Sequence, residues 1–345
     1  MPKFSLPDTI TLAQGSGGTA MQALIEQLFR AAFDNALLSA GEDQARISLE
    51  TLTTLGDRLA LTTDSYVVTP LFFPGGDIGA LAVNGTVNDL AVGGAIPLYL
   101  TCGLILEEGL SLATLKRVIE SMQKAAIAAG VKIVTGDTKV VPRGSADQLF
   151  INTAGVGVIP VGVNPSAHQL QPGDCVLING AIGNHGAAIL VAREDLALTA
   201  PIESDCQPLN HLVAAIMAVC PQVRAMRDAT RGGLATVLTE FAQASQVVIR
   251  LQERALPIDP PVEGLCELLG LDPLYLANEG KLVVIVPRSH RETVLAVMQA
   301  HPQGQGSCWI GEVLAEPSGL VTLQTPLGTE RILDPLVGDQ LPRIC

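Results

Sequence analysis

The chain has 345 residues, 48% hydrophobic and only 16% charged, with 34 acidic against 21 basic residues and a formal net charge of −13. That length carries two domains with real cores, and the composition excludes a disordered chain. A negative field of this size disfavours nucleic acid and anionic membrane surfaces, so neither is expected as a partner, and a polyphosphate would need Mg²⁺ to bridge it to the protein.

The seven cysteines are Cys102, Cys175, Cys206, Cys220, Cys266, Cys308 and Cys345. They are widely spaced, odd in number and without a CxxC pair, which argues against a disulfide framework or a zinc ribbon and for a reducing, cytoplasmic setting. The first ten residues lack a basic stretch followed by an apolar one, so no signal peptide is expected. No uninterrupted apolar run reaches the length of about 18 residues that a spanning helix needs.

In chain order, a glycine-rich piece and a helix over 19–33 make up segment 1–40. Residues 59–69 are rich in β-branched side chains and read as a strand. Helical spacing covers 78–92 and 111–129, with Gly130 as the terminating cap. Strands follow over 131–135 and 149–158, separated by a polar loop holding Gly-Asp-Thr-Lys. The Pro- and Gly-rich stretch 159–173 places a boundary between domains 41–160 and 161–333. The second domain repeats the alternation: strands over 175–179, 246–251, 282–287 and 308–314, helices over 187–194, 207–219, 231–244 and 289–300. Mixed elements in both halves give the fold class as α/β, in α+β layers. The polar, proline-containing tail 334–345 is expected to be mobile.

Five carboxylates sit beside glycines or at element ends: Asp57, Asp64, Asp89, Asp137 and Asp228. Oxygen ligands of this kind suit Mg²⁺ bridged to phosphate. Singly, each serves equally well as a helix cap or an Asx-turn; together they make a candidate metal set. The loop Gly15-Ser16-Gly17-Gly18 opens a helix and could wrap phosphate with backbone N–H groups. Arg231-Gly232-Gly233 offers a cation and free N–H groups together. There is no GxxxxGK[ST] string and no GxGxxG with its acidic partner, which disfavours Walker-type and Rossmann sites. Lys139 and Glu279, surface charges if taken singly, could orient and deprotonate a substrate nitrogen if paired.

The chain ends Leu341-Pro342-Arg343-Ile344-Cys345. A prenylation box needs its Cys four from the end, so that reading fails. The alternatives are a thiol without a role and a carrier thiol on an arm whose eleven steps from Asp334 span about 36 Å when extended.

The strings TDSYVVTPLFFPGGDIG (63–79), GTVNDLAVGGAIP (85–97), GDTKVV (136–141), RDATRGG (227–233), NEGK (278–281) and terminal PRIC (342–345) together resemble the HypE family of hydrogenase maturation factors. That family belongs to the superfamily of aminoimidazole ribonucleotide synthetase, selenophosphate synthetase and thiamine-monophosphate kinase. The resemblance runs from about residue 10 to the end. It implies a two-domain PurM-like fold, a homodimer formed by the first domain, and ATP with Mg²⁺ beside the dimer interface. The cofactor contacts it implies are Gly15, Ser16, Gly17, Gly18, Asp64, Asn88, Asp89, Gly136, Asp137, Thr138, Arg231 and Gly232, with metal ligands Asp57, Asp64, Asp89, Asp137 and Asp228. It also implies a reaction. HypF carbamoylates the terminal thiol, here Cys345, and an ATP-dependent dehydration turns the thiocarboxamide into a thiocyanate. Cyanide then passes to iron on a HypC–HypD complex. Lys139 and Glu279 would flank the carbamoyl nitrogen, with Glu279 as base. Gln14 stands where the family usually has His, and Asn184 where it usually has Asp. A selenophosphate synthetase is disfavoured because the first cysteine is Cys102, far from the glycine loop. A non-catalytic thiol carrier is disfavoured by the Asp-bearing loops.

Overall fold

A computed structural model describes residues 5–40, 42–193, 200–315 and 318–334. Cys345 and the expected mobile tail from residue 335 onward lie outside these described residues. A 3-10 turn over Leu12–Gly15 leads into α1 (Thr19–Leu24), a π-helical stretch Ile25–Arg30, α2 (Ala31–Phe33), α3 (Ala36–Ser39) and α4 (Leu49–Thr53). Then come β1 (Arg58–Tyr66), the short pair β2 (Phe72–Phe73) and β3 (Gly76–Asp77), α5 (Ile78–Val92), β4 (Ile96–Glu107), α6 (Leu112–Ala129), β5 (Lys132–Val141) and β6 (Leu149–Ile159).

The four long strands form one sheet in the order β1-β6-β4-β5, parallel only between β4 and β5. Helix α5 starts where Asp77 accepts the N–H groups of Gly79 and Ala80. It is apolar nearly all round, because the sheet covers one side and α6 and the second domain cover others. Helix α6 is one-sided: Leu115, Val118, Ile119 and Met122 are buried, and Gly130 ends it at φ 72°.

One expectation fails here. Gly136-Asp137-Thr138-Lys139 is not a loop but the middle of β5, paired with Cys102 through Ile105. A glycine suits that strand because a Cβ at Gly136 would lie 2.4 Å from the Cys102 carbonyl oxygen.

The second domain contains β7 (Cys175–Ile178), α7 (Asn184–Ala192), α8 (Asn210–Val219), β8 (Ala225–Asp228), α9 (Gly233–Ser245), β9 (Val248–Gln252) and α10 (Pro260–Leu269). It ends with β10 (Leu282–Val286), α11 (Arg291–Ala300), β11 (Cys308–Leu314), β12 (Leu320–Gln324) and β13 (Glu330–Leu333). Its seven strands run β13-β12-β9-β11-β7-β10-β8, with only β9 and β12 parallel. The two domains share core: Ala91 and Val92 at the end of α5 pack into one apolar cluster with Leu209, Leu212, Ile216, Leu282 and Val284.

The other face of the first sheet is open. Leu59, Leu61 and Ile105 are 53%, 74% and 41% exposed there, and no described residue of the chain covers them.

Candidate active site

Alternation along β1 turns Thr62, Asp64 and Tyr66 toward α5 and leaves Leu61, Thr63 and Ser65 on the open face. Thr62 donates its hydroxyl to Asp89 of α5 at 2.9 Å. Arg231, from the turn before α9, reaches Asp64 at 3.2 Å across the domain junction. Asp228 ends β8, and its carboxyl is pushed up to about 7, first by burial and next by the charge of Asp89. Asp89 is itself raised by burial and by Asp64. Asp64, Asp89 and Asp228 thus lie within electrostatic reach of one another at the domain junction, where burial makes the charged forms of Asp89 and Asp228 costly; Arg231 pairs with Asp64, and the charge of Arg227 also reaches Asp89 and Asp228. Among the described residues no three His, Cys, Asp or Glu side chains converge closely enough to hold a metal ion alone.

Deeper in this cleft between the domains lies Tyr66, 2% exposed, with its pKa raised by burial and then by the charges of Asp64 and Glu279. It therefore spans the carboxylate set and the Glu279 segment. A Cβ at Gly85 would lie 2.2 Å from its hydroxyl oxygen, so the glycine makes room for the ring. Glu279 is 6% exposed. Nearby, Asn84 donates to the Cys206 sulfur at 3.4 Å, while its buried side-chain carbonyl oxygen has no partner among the described residues. Burial pushes the Cys206 thiol above its ordinary range, which disfavours its thiolate.

The other sequence-derived positions divide clearly. Asp57 stands at the far end of β1, beside Arg58, seven residues and about 23 Å from Asp64. Asp137 and Lys139 are exposed on β5, alternating with inward Thr138. The registers put Asp64, Thr153, Cys102 and Gly136 in one row across the sheet, about 14 Å end to end. Within one chain, then, Lys139 and Glu279 lie on opposite faces of the sheet and do not meet. Asn88 is not turned toward the cleft. Its amide donates to the Gln207 carbonyl (3.1 Å) and accepts the Leu209 N–H (2.7 Å), so both polar groups bind the domains together. One residue further round the helix, Asp89 faces the cleft instead.

The glycine loop lies along β5: a Cβ at Gly15 would meet Val140 at 2.8 Å, and Gly18 caps α1. Ser16, Gly17 and Gly18 are exposed. Gly136, Asp137 and Thr138 line a cavity of about 470 Å³ beside Met21, Ile25 and Phe29. Gly232, at φ 73°, caps α9 in a conformation that favours glycine. The two family departures are both engaged locally. Gln14 accepts the Thr11 N–H and hydroxyl, each at 2.8 Å, and Asn184 donates to Asp259 at 2.8 Å. Thr62, Tyr66 and Asn84 carry no signal of their own in the sequence, beyond Thr62 and Tyr66 lying two residues either side of Asp64 and Asn84 lying one turn before Asn88.

Residues 41–159 match the family AIR synthase related protein, N-terminal domain, and residues 171–324 match its C-terminal domain. A carbamoyl dehydratase HypE of Rhodobacter capsulatus is 56% identical over 98% of this chain and 98% of its own. A crystal structure of hydrogenase maturation protein HypE in complex with ATP superposes with a TM-score of 0.92 at 49% identity, covering 98% of this chain and 100% of the other. A crystal structure of a HypE–HypF complex matches with a TM-score of 0.78 at 49% identity, covering 91% and 100%. At such identity over nearly the whole length, on a two-domain PurM-like fold of the AIR synthase related type, the chain belongs to the HypE family of carbamoyl dehydratases.

Proposed function

We propose that the chain dehydrates an S-carbamoyl group on its own Cys345 to a thiocyanate at the expense of ATP, supplying cyanide for the iron of NiFe-hydrogenase. The observation that carries this reading is the convergence of Asp64, Asp89, Asp228 and Arg231 with Tyr66 and Glu279 in one cleft. The relatives' names, and the ATP bound to one of them, support it.

An amide oxygen leaves poorly. Attack of the carbamoyl oxygen on the γ-phosphorus breaks the bond to ADP and makes phosphate the leaving group. Loss of one N–H proton gives the imidate. Loss of the second, with departure of phosphate, gives the nitrile. Glu279 takes a proton from nitrogen, and Lys139 holds that nitrogen in place. The oxygen donors of Asp64, Asp89 and Asp228 would hold Mg²⁺, and when bound it would supply neutralisation of charge on the transferring phosphoryl group. Arg231 and the N–H groups at Gly232 and along Gly15-Ser16-Gly17-Gly18 hold phosphate oxygens.

Lys139 and Glu279 occupy opposite faces of one sheet. We assign the open face of that sheet to a second copy of the chain, so that a homodimer sets Lys139 and Asp137 of one copy beside the cleft of the other. HypF is the proposed carbamoyl donor, as the HypE–HypF complex of a relative suggests, and a HypC–HypD complex the proposed acceptor of cyanide. The setting proposed for this reaction is the cytoplasm.

The deciding experiment is mass spectrometry of the C-terminal peptide after S-carbamoylation. Addition of MgATP should remove the mass of one water from the Cys345 adduct. A carbamoylated peptide unchanged by MgATP would sink the enzyme reading.

A further inference from the structure

The segment Asn278-Glu279-Gly280-Lys281 is gripped by a carboxylate that is distant in sequence. Asp205 lies in the stretch before α8. One of its oxygens accepts the Glu279 N–H at 3.0 Å, and the other accepts the Gly280 N–H at 3.2 Å. The Lys281 ammonium stands 3.2 Å from that second oxygen, and the Lys281 and Asp205 side chains are only 9% and 5% exposed. The rest of the segment is equally committed. The Gly280 carbonyl accepts from Asn179 and from Gln207, each at 3.1 Å, and the Lys281 carbonyl accepts the Ala229 N–H at 3.0 Å. Gly280 is required as glycine, because a Cβ would lie 2.0 Å from the Asp205 carbonyl oxygen.

A buried ion pair is a poor device for stability, since desolvation offsets most of its attraction. It is a good device for geometry. Two successive N–H groups held by one carboxylate fix the peptide planes on both sides of Glu279. They thereby fix the direction in which its side chain leaves the backbone. Lys281 supplies a charged third donor to the same carboxylate, beside the two backbone N–H groups. Among the described residues, neither Asp205 nor Lys281 makes a hydrogen bond or ion pair with Asp64, Asp89 or Asp228.

We propose that Asp205, paired with Lys281, is the positioning residue for Glu279 and acts on the dehydration only through it. This rests on the reading of Glu279 as the base. A displaced general base loses rate without loss of substrate binding, and misplacement by about 1 Å costs on the order of a hundredfold.

A double-mutant cycle under single-turnover conditions tests the idea. The readouts are water loss from the carbamoylated Cys345 peptide by mass spectrometry, and MgATP affinity by calorimetry. Asp205→Asn should slow dehydration by about ten- to a hundredfold, with MgATP affinity unchanged within about twofold. Placed on Glu279→Gln, it should slow the reaction no further. A merely structural residue would lower both readouts and multiply with Glu279→Gln, and that result overturns the proposal. Glu279→Gln at the wild-type rate would overturn the base assignment itself, a separate outcome. Should Asp205→Asn fail to fold, Lys281→Met keeps both N–H bonds and enters the same cycle: a loss absent from the Glu279→Gln background supports the proposal, and a multiplicative loss overturns it.

Discussion

Arg231 of the second domain contacts Asp64 of the first at 3.2 Å, and this ion pair lies at the mouth of the cleft, with Arg231 71% exposed and Asp64 29% exposed. So exposed a pair contributes only about 0–1 kcal/mol to stability. A guanidinium there is better placed to exchange its carboxylate partner for phosphate oxygens, which it binds bidentately. Arg231→Met should therefore leave thermal unfolding nearly unchanged while weakening MgATP binding by about tenfold, the worth of one charge-assisted contact. Calorimetric titration beside a melting curve separates the two effects.

Asp89 is the carboxylate whose role can be read from a change of sign. It accepts the Thr62 hydroxyl at 2.9 Å and stands in the field of Asp64. Asp89→Asn keeps an acceptor for Thr62 and removes one negative charge. If Asp89 binds nucleotide through Mg²⁺, the variant should bind MgATP at least tenfold more weakly. ATP stripped of metal by chelator should bind no worse than to the wild type, because a repelling charge has gone. Equal affinity for MgATP in wild type and variant would remove Asp89 from the site.

The open sheet face predicts an assembly. Leu59 and Leu61 are 53% and 74% exposed in the single chain, and a Leu fully buried by a partner is worth about 1.5–3 kcal/mol. Leu61→Arg puts a charge into that seam and should shift the chain from dimer to monomer in sedimentation velocity at micromolar concentration. ATP-dependent dehydration should fall with it, since Lys139 then stays on the face away from Glu279. A monomeric variant with full activity would place Lys139 and Glu279 together by some other route.

Much of this was legible in the sequence because local signals and tertiary demands agree. Helices α5 and α6 are legible with nearly their observed limits, Gly130 marking the end of the second, while the Asp77 cap of the first emerges only in the structure. The GDTK segment reads as a loop in sequence because glycine signals a turn, whereas Gly136 permits β4 to approach β5. Strand β4 itself was not anticipated, its apolar run being interrupted by Pro97, Thr101 and Gly103. The aspartates could be singled out by their neighbours, but their separation could not. A two-residue period says that faces alternate without saying which one meets a helix, so Asp64 and Asp137 look alike until the sheet order is known. Asn88 and Asp89 differ by one step of a helix, and only the packing of α5 against 207–209 decides that one binds backbone and the other faces the cleft. Asp205 gave no sequence signal, because its partners lie more than seventy residues away.

His185 sets a pH limit on the fold. Its ring is fully buried, meets the Ser204 hydroxyl at 2.8 Å through Nδ1, leaves Nε2 without a partner among the described residues, and packs edge-on to Phe73. Burial lowers its pKa to about 4, only partly opposed by the charge of Asp205. In the unfolded chain the same imidazole titrates near about 6.5. Between those values the unfolded chain binds a proton that the folded one refuses, so stability is intact above about pH 6.5 and falls as pH drops toward about 4, by about 3 kcal/mol in all. His185→Gln cannot charge. Urea unfolding followed from pH 7.5 to pH 4.5 should therefore give a visibly shallower loss of stability for the variant than for the wild type, even if its stability at pH 7.5 is lower through the altered contact with Ser204. Parallel pH profiles for the two proteins would mean that the ring accepts its proton inside the fold, with water or a carboxylate reaching Nε2.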